Sequence, residues 1–515
     1  MSRPTPLDRA ATRRELTQAP LDVLIIGGGI VGAGLARDAA LRGLRVGLVE
    51  QYDFAFGTSS RSTRLLHGGL RYLAQGRIGL VRQASIEKRV IHAIAPHLAL
   101  PLGFIFPTYR GRPWAPWPRW KLRIGVRMYD WLCGGRNLGR SCGLTAEQVL
   151  ALLPGARSEG LTGGVRYYDG LTQDARLVID TLRSAAGAGA LLMNYCRFRD
   201  TEFEGGLWCC RVEDRLSSTA ATGLPDSSAP AEVFHLRARA VVNAAGPWGD
   251  RVGPTSVRLR LTKGVHLVID RQRLAIPEAV VMTQGRRILF AIPWGQRVIL
   301  GTTDTDYHGR VEDVRTEPAD VREVLGVVNG LFPRAELTEA DVISTWAGLR
   351  PLVANANGGP SDISRAHEIR SPRPGWWDVT GGKLTTYRLM AEQTLDRIEA
   401  ALGRPVSACR TATTPLLDPE ETAGVSGIIP PALSRAVVEH YCRREWAVHL
   451  DDVMLRRTGW HYYEPRAERI AERVTAWMGD VLGWNDAVRT GEMERYLGRG
   501  AAYCTAGGRE VQSQR

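Results

Sequence analysis

Lysine is almost missing from this chain: of 67 basic residues only Lys88, Lys121, Lys263 and Lys383 are not arginine. Where arginine fills every generic cationic role, a retained lysine marks a place where a compact, deprotonatable ammonium differs chemically from a guanidinium. Long apolar runs are missing too. No window reaches the roughly 18 consecutive apolar residues that a membrane-spanning helix needs, and residues 1–20 are polar and Arg-bearing without an apolar segment. Neither a transmembrane anchor nor a signal peptide is expected. The eight cysteines include the adjacent pair Cys209 and Cys210 but no C-x-x-C spacing, which argues against zinc and iron–sulfur ligation. No metal site is expected, and a reduced cytoplasmic protein is the simplest fit.

What is present points to a large, basic globular protein. At 515 residues the chain exceeds one ordinary hydrophobic core, so two or three packed units are expected. A formal charge of +13 calls for an anionic partner: substrate, cofactor phosphates, acidic lipid or nucleic acid. Charge does not choose among them, but no nucleic-acid-binding motif occurs.

A polar arm, 1–19, precedes an apolar, β-branched run at 22–26 that reads as a buried parallel strand. Small and apolar residues recur at helical spacing over 30–42, Gly43 sits at a C-cap, and 45–49 reads as a second strand. Together they have the length of one βαβ unit, about thirty residues. Further on, 174–186 reads as a helix closed by Gly187, and 190–195, 207–212, 233–237 and 240–243 as strands. The stretch 213–232 is rich in Ser, Thr, Ala, Gly and Pro and reads as a mobile loop. Alternating patterns at 281–294 and 297–301 suggest an antiparallel sheet in a separate, substrate-facing domain. After Ala401 the segments turn helical, with Ile470, Val474, Trp477, Met478, Val481 and Leu482 on one face of a helix ending near Gly483. That region reads as a packed helical domain without chemistry of its own.

Gly27, Gly28, Gly29, Ile30, Val31 and Gly32 form G-x-G-x-x-G directly after a strand and directly before a helix. Gly27 permits the tight turn, Gly29 lets backbone approach a pyrophosphate, and Gly32 allows helix and strand to pack closely. The helix N-terminus offers unpaired N–H groups to the phosphates. Glu50 closes the second strand where a carboxylate would hydrogen-bond a ribose hydroxyl. Only one such fingerprint occurs, which disfavours a second, nicotinamide-binding domain.

Beyond Glu50 the motifs become specific. Phe54-Ala55-Phe56-Gly57-Thr58-Ser59-Ser60-Arg61-Ser62 is followed by His67-Gly68-Gly69-Leu70-Arg71-Tyr72-Leu73, Asn243-Ala244-Ala245-Gly246-Pro247-Trp248, Lys263-Gly264-Val265-His266 and Ile292-Pro293-Trp294. Gly301-Thr302-Thr303-Asp304, Ala347-Gly348-Leu349-Arg350-Pro351-Leu352, Ile363-Ser364-Arg365 and Gly381-Gly382-Lys383-Leu384-Thr385-Thr386-Tyr387 continue the series. In this order and spacing, over roughly 22–400, the chain resembles the FAD-dependent glycerol-3-phosphate dehydrogenases. It departs from their pattern at Val265, where a small polar residue is usual, and at 109–120, which is unusually rich in Trp, Pro and Arg. Without clustered C-terminal cysteines or a calcium loop it is similar to the single-chain bacterial, quinone-linked type.

The resemblance implies an α/β fold: a Rossmann-like FAD-binding domain with an inserted antiparallel-sheet substrate domain and a C-terminal helical domain. The expected boundaries are 20–100, 165–255 and 340–402 for the FAD domain, 101–164 and 256–339 for the substrate-binding cap, 403–505 for the helical domain and 506–515 for a tail. FAD contacts are expected from Gly27 to Gly32, Glu50, Thr58, Ser59, Ser60, His67, Gly68, Gly69, Ala245, Gly246, Gly382, Lys383, Leu384 and Thr385. Arg71, Arg350 and Arg365 are placed at the substrate, where a planar guanidinium fork suits a phosphate, and Tyr72 adds a hydroxyl. His266 is the candidate for accepting the hydroxyl proton, because imidazole titrates near neutrality. The Gly381–Gly382–Lys383 junction would stabilise negative charge on the reduced flavin through backbone N–H groups, with Lys383 toward flavin or substrate.

The implied reaction oxidises sn-glycerol 3-phosphate to dihydroxyacetone phosphate, with electrons leaving to a membrane quinone. An oxidase using oxygen and a carboxylate-binding amine oxidase are the competing enzymes. The segment Arg119–Leu132 mixes cations and aromatics at helical spacing, as interfacial helices do, and a buried helix with solvated arginines explains it nearly as well. Peripheral contact with the cytoplasmic face of the membrane is expected, and a homo-oligomer is compatible with all of this.

Overall fold

A computed structural model of the chain describes residues 8–73, 76–111, 118–134, 137–216, 231–284, 287–353 and 367–503. The run Leu21–Ile26 is the inner strand of a parallel sheet, pairing with Val46–Val49 on one side and Glu232–Asn243 on the other. Leu191–Met193 extends the sheet beyond Val46–Val49, while Trp376–Gly381 and then the antiparallel His367–Arg373 extend it past Glu232–Asn243. A parallel strand must be covered on both faces, which is why Val23, Leu24 and Ile25 are all buried despite pointing in alternate directions. On one face lie the helices Ile30–Leu41, Asp174–Gly187 and Tyr387–Ala401. The other is closed by side chains of the antiparallel Cys196–Glu204 and Leu207–Asp214, Trp208 and Val212 among them, together with Trp376.

Among the described residues the second sheet has ten strands: eight run Thr305–Tyr307, Leu259–Asp270, Arg297–Gly301, Arg287–Trp294, Ala279–Gln284, Leu100–Tyr109, Leu161–Leu171, Leu65–Leu66, with Val342–Val353 also on Leu259–Asp270 and Cys142–Leu144 on Leu161–Leu171. Every pairing is antiparallel except Ala279–Gln284 with Leu100–Tyr109. The helix Pro318–Leu331 packs Val321, Val324 and Val328 onto it. The expected combination of Rossmann-like sheet, antiparallel sheet and C-terminal helices is what the chain forms.

Three details differ from expectation. Val342–Val353, assigned by sequence to the FAD domain, pairs along Leu259–Asp270 in the second sheet, and Leu65–Leu66 and Leu161–Leu171 belong to that sheet as well. Alternation specifies that a strand has a buried face but not which sheet it joins. The N-terminal arm contains a helix, Arg9–Gln18, capped by Asp8, which buries Leu16 against the first sheet and pairs Arg9 with Asp214. Its polarity hid it, because only Leu16 and Thr12 turn inward. The strands flanking the expected loop 213–232 continue to Asp214 and resume at Glu232, and 217–230 lie outside the described residues.

The C-terminal helices Arg435–Arg444 and Ala467–Leu482 share a core, and Gly483 ends the second in the left-handed conformation. This region also reaches into the first sheet. Arg457 donates from Nη1 and Nη2 to both oxygens of Asp53 at 2.7 and 2.9 Å, and Arg456 Nε adds a bond at 2.5 Å. Burial alone would push the Asp53 carboxyl up, but the two guanidiniums outweigh it and hold it below its usual range. Because Asp53 follows Glu50 by three residues, the helical domain fixes the loop that carries Glu50. Arg457→Met should cost about 3–5 kcal/mol by leaving buried charge uncompensated, measured as a lower urea midpoint with the C-terminal helices and the FAD domain still unfolding together.

Candidate active site

Backbone geometry at the first turn explains each glycine. Gly27 has φ +113° and a β-carbon there would lie 2.6 Å from the Ala244 carbonyl oxygen, where two parallel strands end side by side. At position 32 it would lie 1.9 Å from the Gly27 carbonyl oxygen. At Gly29 it would meet only the Ser59 hydroxyl, at 3.1 Å, and Gly29 faces a cavity. Gly28 turns the other way, toward Phe54, and its N–H donates to Glu50 Oε2 at 2.7 Å while Tyr52 N–H donates to Oε1 at 2.9 Å. Burial raises the Glu50 pKa, with these two donors opposing. Ile30 N–H, at the start of the helix, donates to Ser59 Oγ at 3.0 Å.

The cavity encloses about 640 Å³ and runs between the two sheets. Gly27, Gly29, Ile30, Val31 and Glu50 form one end. Thr58, Ser59, Ala245 and Gly246 line it, as do His67, Gly382, Lys383, Leu384 and Thr385, and His266 and Arg350 reach in from the antiparallel sheet. A bare glycine edge, a helix N-terminus and a strand-end carboxylate opening onto one elongated space fit the pyrophosphate and ribose of a dinucleotide, and FAD is accommodated on that observation. Thr385 joins two walls: its hydroxyl accepts from His67 N–H at 3.0 Å and donates to the His67 carbonyl at 3.2 Å.

His266 is buried on Leu259–Asp270, stacked on Trp346 with ring centroids 5.1 Å apart, and its Nε2 lies 2.9 Å from Thr63 Oγ1. Burial, then the charges of Arg350 and Arg64, push its pKa well below 6.5. Arg64 is itself buried between Trp294 and Trp346, 4.2 and 4.8 Å from the ring centres. Val265, the departure from the family pattern, points into the opposite core, so it packs behind the site and does not line it. Arg350 Nη1 donates to Asp304 Oδ1 at 2.9 Å and Nη2 to Thr302 Oγ1 at 3.0 Å. Gly264 makes room for it, since a β-carbon there would sit 2.6 Å from Nη2.

Other expected residues stand behind the walls. Ser60 is buried, and Gly68 is enclosed by Tyr129 and Ser85. Tyr72 is buried beside Gly69, which is left-handed at φ +83°, and its ring centre lies 4.1 Å from Lys383 Nζ. Tyr72 thus seats Lys383, where the sequence suggested a hydroxyl for the substrate. The Arg71 backbone lies in the turn Leu70–Tyr72, its side chain is outside the described set, and Arg365 lies outside the described residues. Lys263 pairs with Asp320 at 2.7 Å, away from the cavity.

Sequence reasoning missed Tyr52, Phe56 and Trp248, which cluster at the cavity mouth with Tyr52 and Phe56 stacked at 4.2 Å. Phe56 and Trp248 lay inside recognised motifs. It also missed Lys88, buried and bonded to Asp169 at 2.8 Å, although lysine's rarity was the available signal.

A glycine-edged nucleotide cleft opening onto a buried histidine and an arginine defines the class: a flavin-dependent oxidoreductase. The FAD dependent oxidoreductase family matches residues 22–397, and the C-terminal domain of alpha-glycerophosphate oxidase matches 427–489. The chain is 34% identical to "Glycerol-3-phosphate dehydrogenase 2" of Mycobacterium tuberculosis over 96% of its length and 90% of the relative's. It is 38% identical to "Aerobic glycerol-3-phosphate dehydrogenase" of Staphylococcus aureus over 78% of its length and 72% of the relative's. The solved structure of glycerol-3-phosphate dehydrogenase from Bacillus halodurans, complexed with FAD, superposes with a TM-score of 0.76 at 27% identity, covering 98% of this chain and 99% of that one. The chain belongs to the FAD-dependent glycerol-3-phosphate dehydrogenase family.

Two outcomes follow from this geometry. Gly29→Val should fold, since only a hydroxyl stands near the added carbons, yet purify without flavin absorbance because it fills the edge where pyrophosphate must approach; a yellow, folded variant would displace the cofactor from this edge. The unfolded chain binds a proton at His266 below about pH 6.5 that the buried imidazole refuses, so this group lowers stability as pH falls through that value. Unfolding midpoints should therefore fall less steeply between pH 7 and 5 in His266→Asn than in the wild type.

Proposed function

We propose that the chain oxidises sn-glycerol 3-phosphate to dihydroxyacetone phosphate and passes the electrons to a membrane quinone, working at the cytoplasmic membrane face through peripheral contact. The observation that carries this is the convergence, on one nucleotide-sized cavity, of an imidazole held neutral and a guanidinium able to select a phosphate. The names of relatives aligned over most of their length support the same substrate.

Bound FAD would supply the hydride acceptor, held along Gly27 to Gly32 and Glu50, with the Gly382–Thr385 segment at its ring end. The protein's own groups do the rest. His266, neutral at physiological pH, takes the proton of the substrate hydroxyl. Its Nε2 lies at the Thr63 hydroxyl, which lines the cavity, and Nδ1 is buried with no protein partner among the described residues. Arg350 binds the phosphate, and Asp304 and Thr302 fix the plane of its fork. Lys383, seated on Tyr72 on the cavity wall, would supply positive charge to the flavin ring. The family resemblance adds Arg71 and Arg365 to the phosphate site.

Arg350→Ala should retain FAD and lose roughly tenfold to 150-fold in kcat/KM on glycerol 3-phosphate. The loss should exceed that range if the uncovered Asp304 carboxylate repels the phosphate, and Arg350→Ala with Asp304→Asn should then recover part of it. Arg350→Lys restores charge without the fork and should rescue only partly. Unphosphorylated glycerol should lose far less, and equal loss on both substrates would remove Arg350 from the phosphate. The acceptor is tested separately: reduction of a soluble quinone analogue without stoichiometric hydrogen peroxide supports the quinone, and stoichiometric peroxide supports an oxidase.

A further inference from the structure

The helix Arg119–Leu132 has two apolar faces. Leu122, Val126 and Tyr129 are buried against the antiparallel sheet. The opposite face leaves Trp131 76%, Trp120 61%, Ile124 53% and Met128 40% exposed, the two tryptophans more than any other large apolar side chain among the described residues. At 3.6 residues per turn these four fall within an arc of about 80°. Arg123 and Arg127 border one edge of the stripe and Lys121 the other, all exposed. The helix's one acid, Asp130, is turned inward, accepting from Asn137 Nδ2 and from Ser141 N–H and Oγ at 2.8–2.9 Å. A rim of cations around an apolar stripe with two tryptophans is the arrangement that sits at a headgroup boundary.

We propose that this helix is the element that lies on an anionic lipid surface, resting on the quinone-linked reading above and naming the face by which it is reached. Charge selects the occupant. A second copy laid on the same face would bring cationic edges together with no acid to meet them, whereas anionic headgroups neutralise both edges while the stripe enters the acyl boundary. No described helix is long and apolar enough to cross a membrane, so contact of this kind is in the plane of the surface.

The buried face explains why docking here serves the site. Tyr129 OH accepts the Gly68 N–H at 2.7 Å and donates to Asp169 Oδ1 at 2.5 Å, which Lys88 Nζ holds at 2.8 Å. The loop whose His67 lines the cavity therefore hangs from the inner side of the docking helix. A docked protein holds that loop about one helix diameter, roughly 10–12 Å, from the lipid.

The test uses flavin-loaded protein and vesicles of phosphatidylcholine with phosphatidylglycerol, against phosphatidylcholine alone. Wild type should co-sediment with the anionic vesicles and be partly released by salt. Trp120→Ser/Trp131→Ser and Arg123→Glu/Arg127→Glu should each lower partitioning on the order of tenfold or more. Flavin content, melting temperature and turnover with a soluble dye should stay at wild-type values, showing that both variants fold. Wild-type partitioning by both variants would overturn the proposal, as would a concentration-dependent doubling of mass that the tryptophan changes abolish, which would assign the face to a second copy. A wild type that docks through this helix yet yields peroxide and no reduced quinone would sink the acceptor reading and leave the docking helix standing.

Discussion

The whole site depends on one close approach, between the Cα of Gly32 and the carbonyl oxygen of Gly27. With a β-carbon there at 1.9 Å, the helix Ile30–Leu41 could not begin where it does. Its start fixes where the Ile30 N–H points, and so where Ser59 sits, and it keeps the edge at Gly29 bare. The second glycine can serve a ligand only because the first and third have solved the packing of strand, turn and helix. The remaining walls are built to meet that edge: Ala244 and Ala245 at the end of the neighbouring strand, Glu50 at the end of the next.

The arginines divide by environment. Arg42, Arg176, Arg388, Arg456 and Arg457 are engaged with carboxylates inside the protein and stitch segments far apart in sequence. Arg350 also has a carboxylate, Asp304, but is about a quarter exposed and lies on the cavity wall. The distinction is what the pair faces. A guanidinium paired inside protein has its charge spent, whereas one held by a carboxylate at a cavity edge keeps donors oriented toward whatever enters. The helical domain, read from sequence as packing alone, takes part in the first kind: its Arg456 and Arg457 hold Asp53, and its Tyr462 packs beside Trp346, the ring on which His266 stacks.

Much of this was legible in the sequence because the signals are local. Gly27 to Gly32, the strand before them and Glu50 after them describe a continuous piece of backbone, and the motifs around Ala245 and Gly382 each follow a strand of the same sheet, that around His67 a strand of the other. What was not legible depends on partners distant in the chain. Nothing local tells that Val342–Val353 crosses to the second sheet, that Arg350 finds Asp304, or that the Tyr72 ring lies under Lys383. The Trp-bearing helix was ambiguous for the same reason. Its sequence carries two apolar faces, and only packing shows which one the protein keeps.

Electrostatics at His266 make these parts mutually dependent. A base for an alcohol proton must be neutral, and burial, then neighbouring positive charges, keep His266 so, yet a phosphate-binding site needs positive charge close by. On the proposed reading, one arrangement meets both needs. Arg350 is near enough to depress the His266 pKa and to serve the cavity, while Arg64, sealed between Trp294 and Trp346, adds positive field without offering donors to the substrate. An arriving phosphate dianion would partly cancel the Arg350 contribution and make His266 more basic when a substrate is present to be deprotonated. Arg64, screened from that anion by the rings around it, sets the part of the field that binding leaves unchanged.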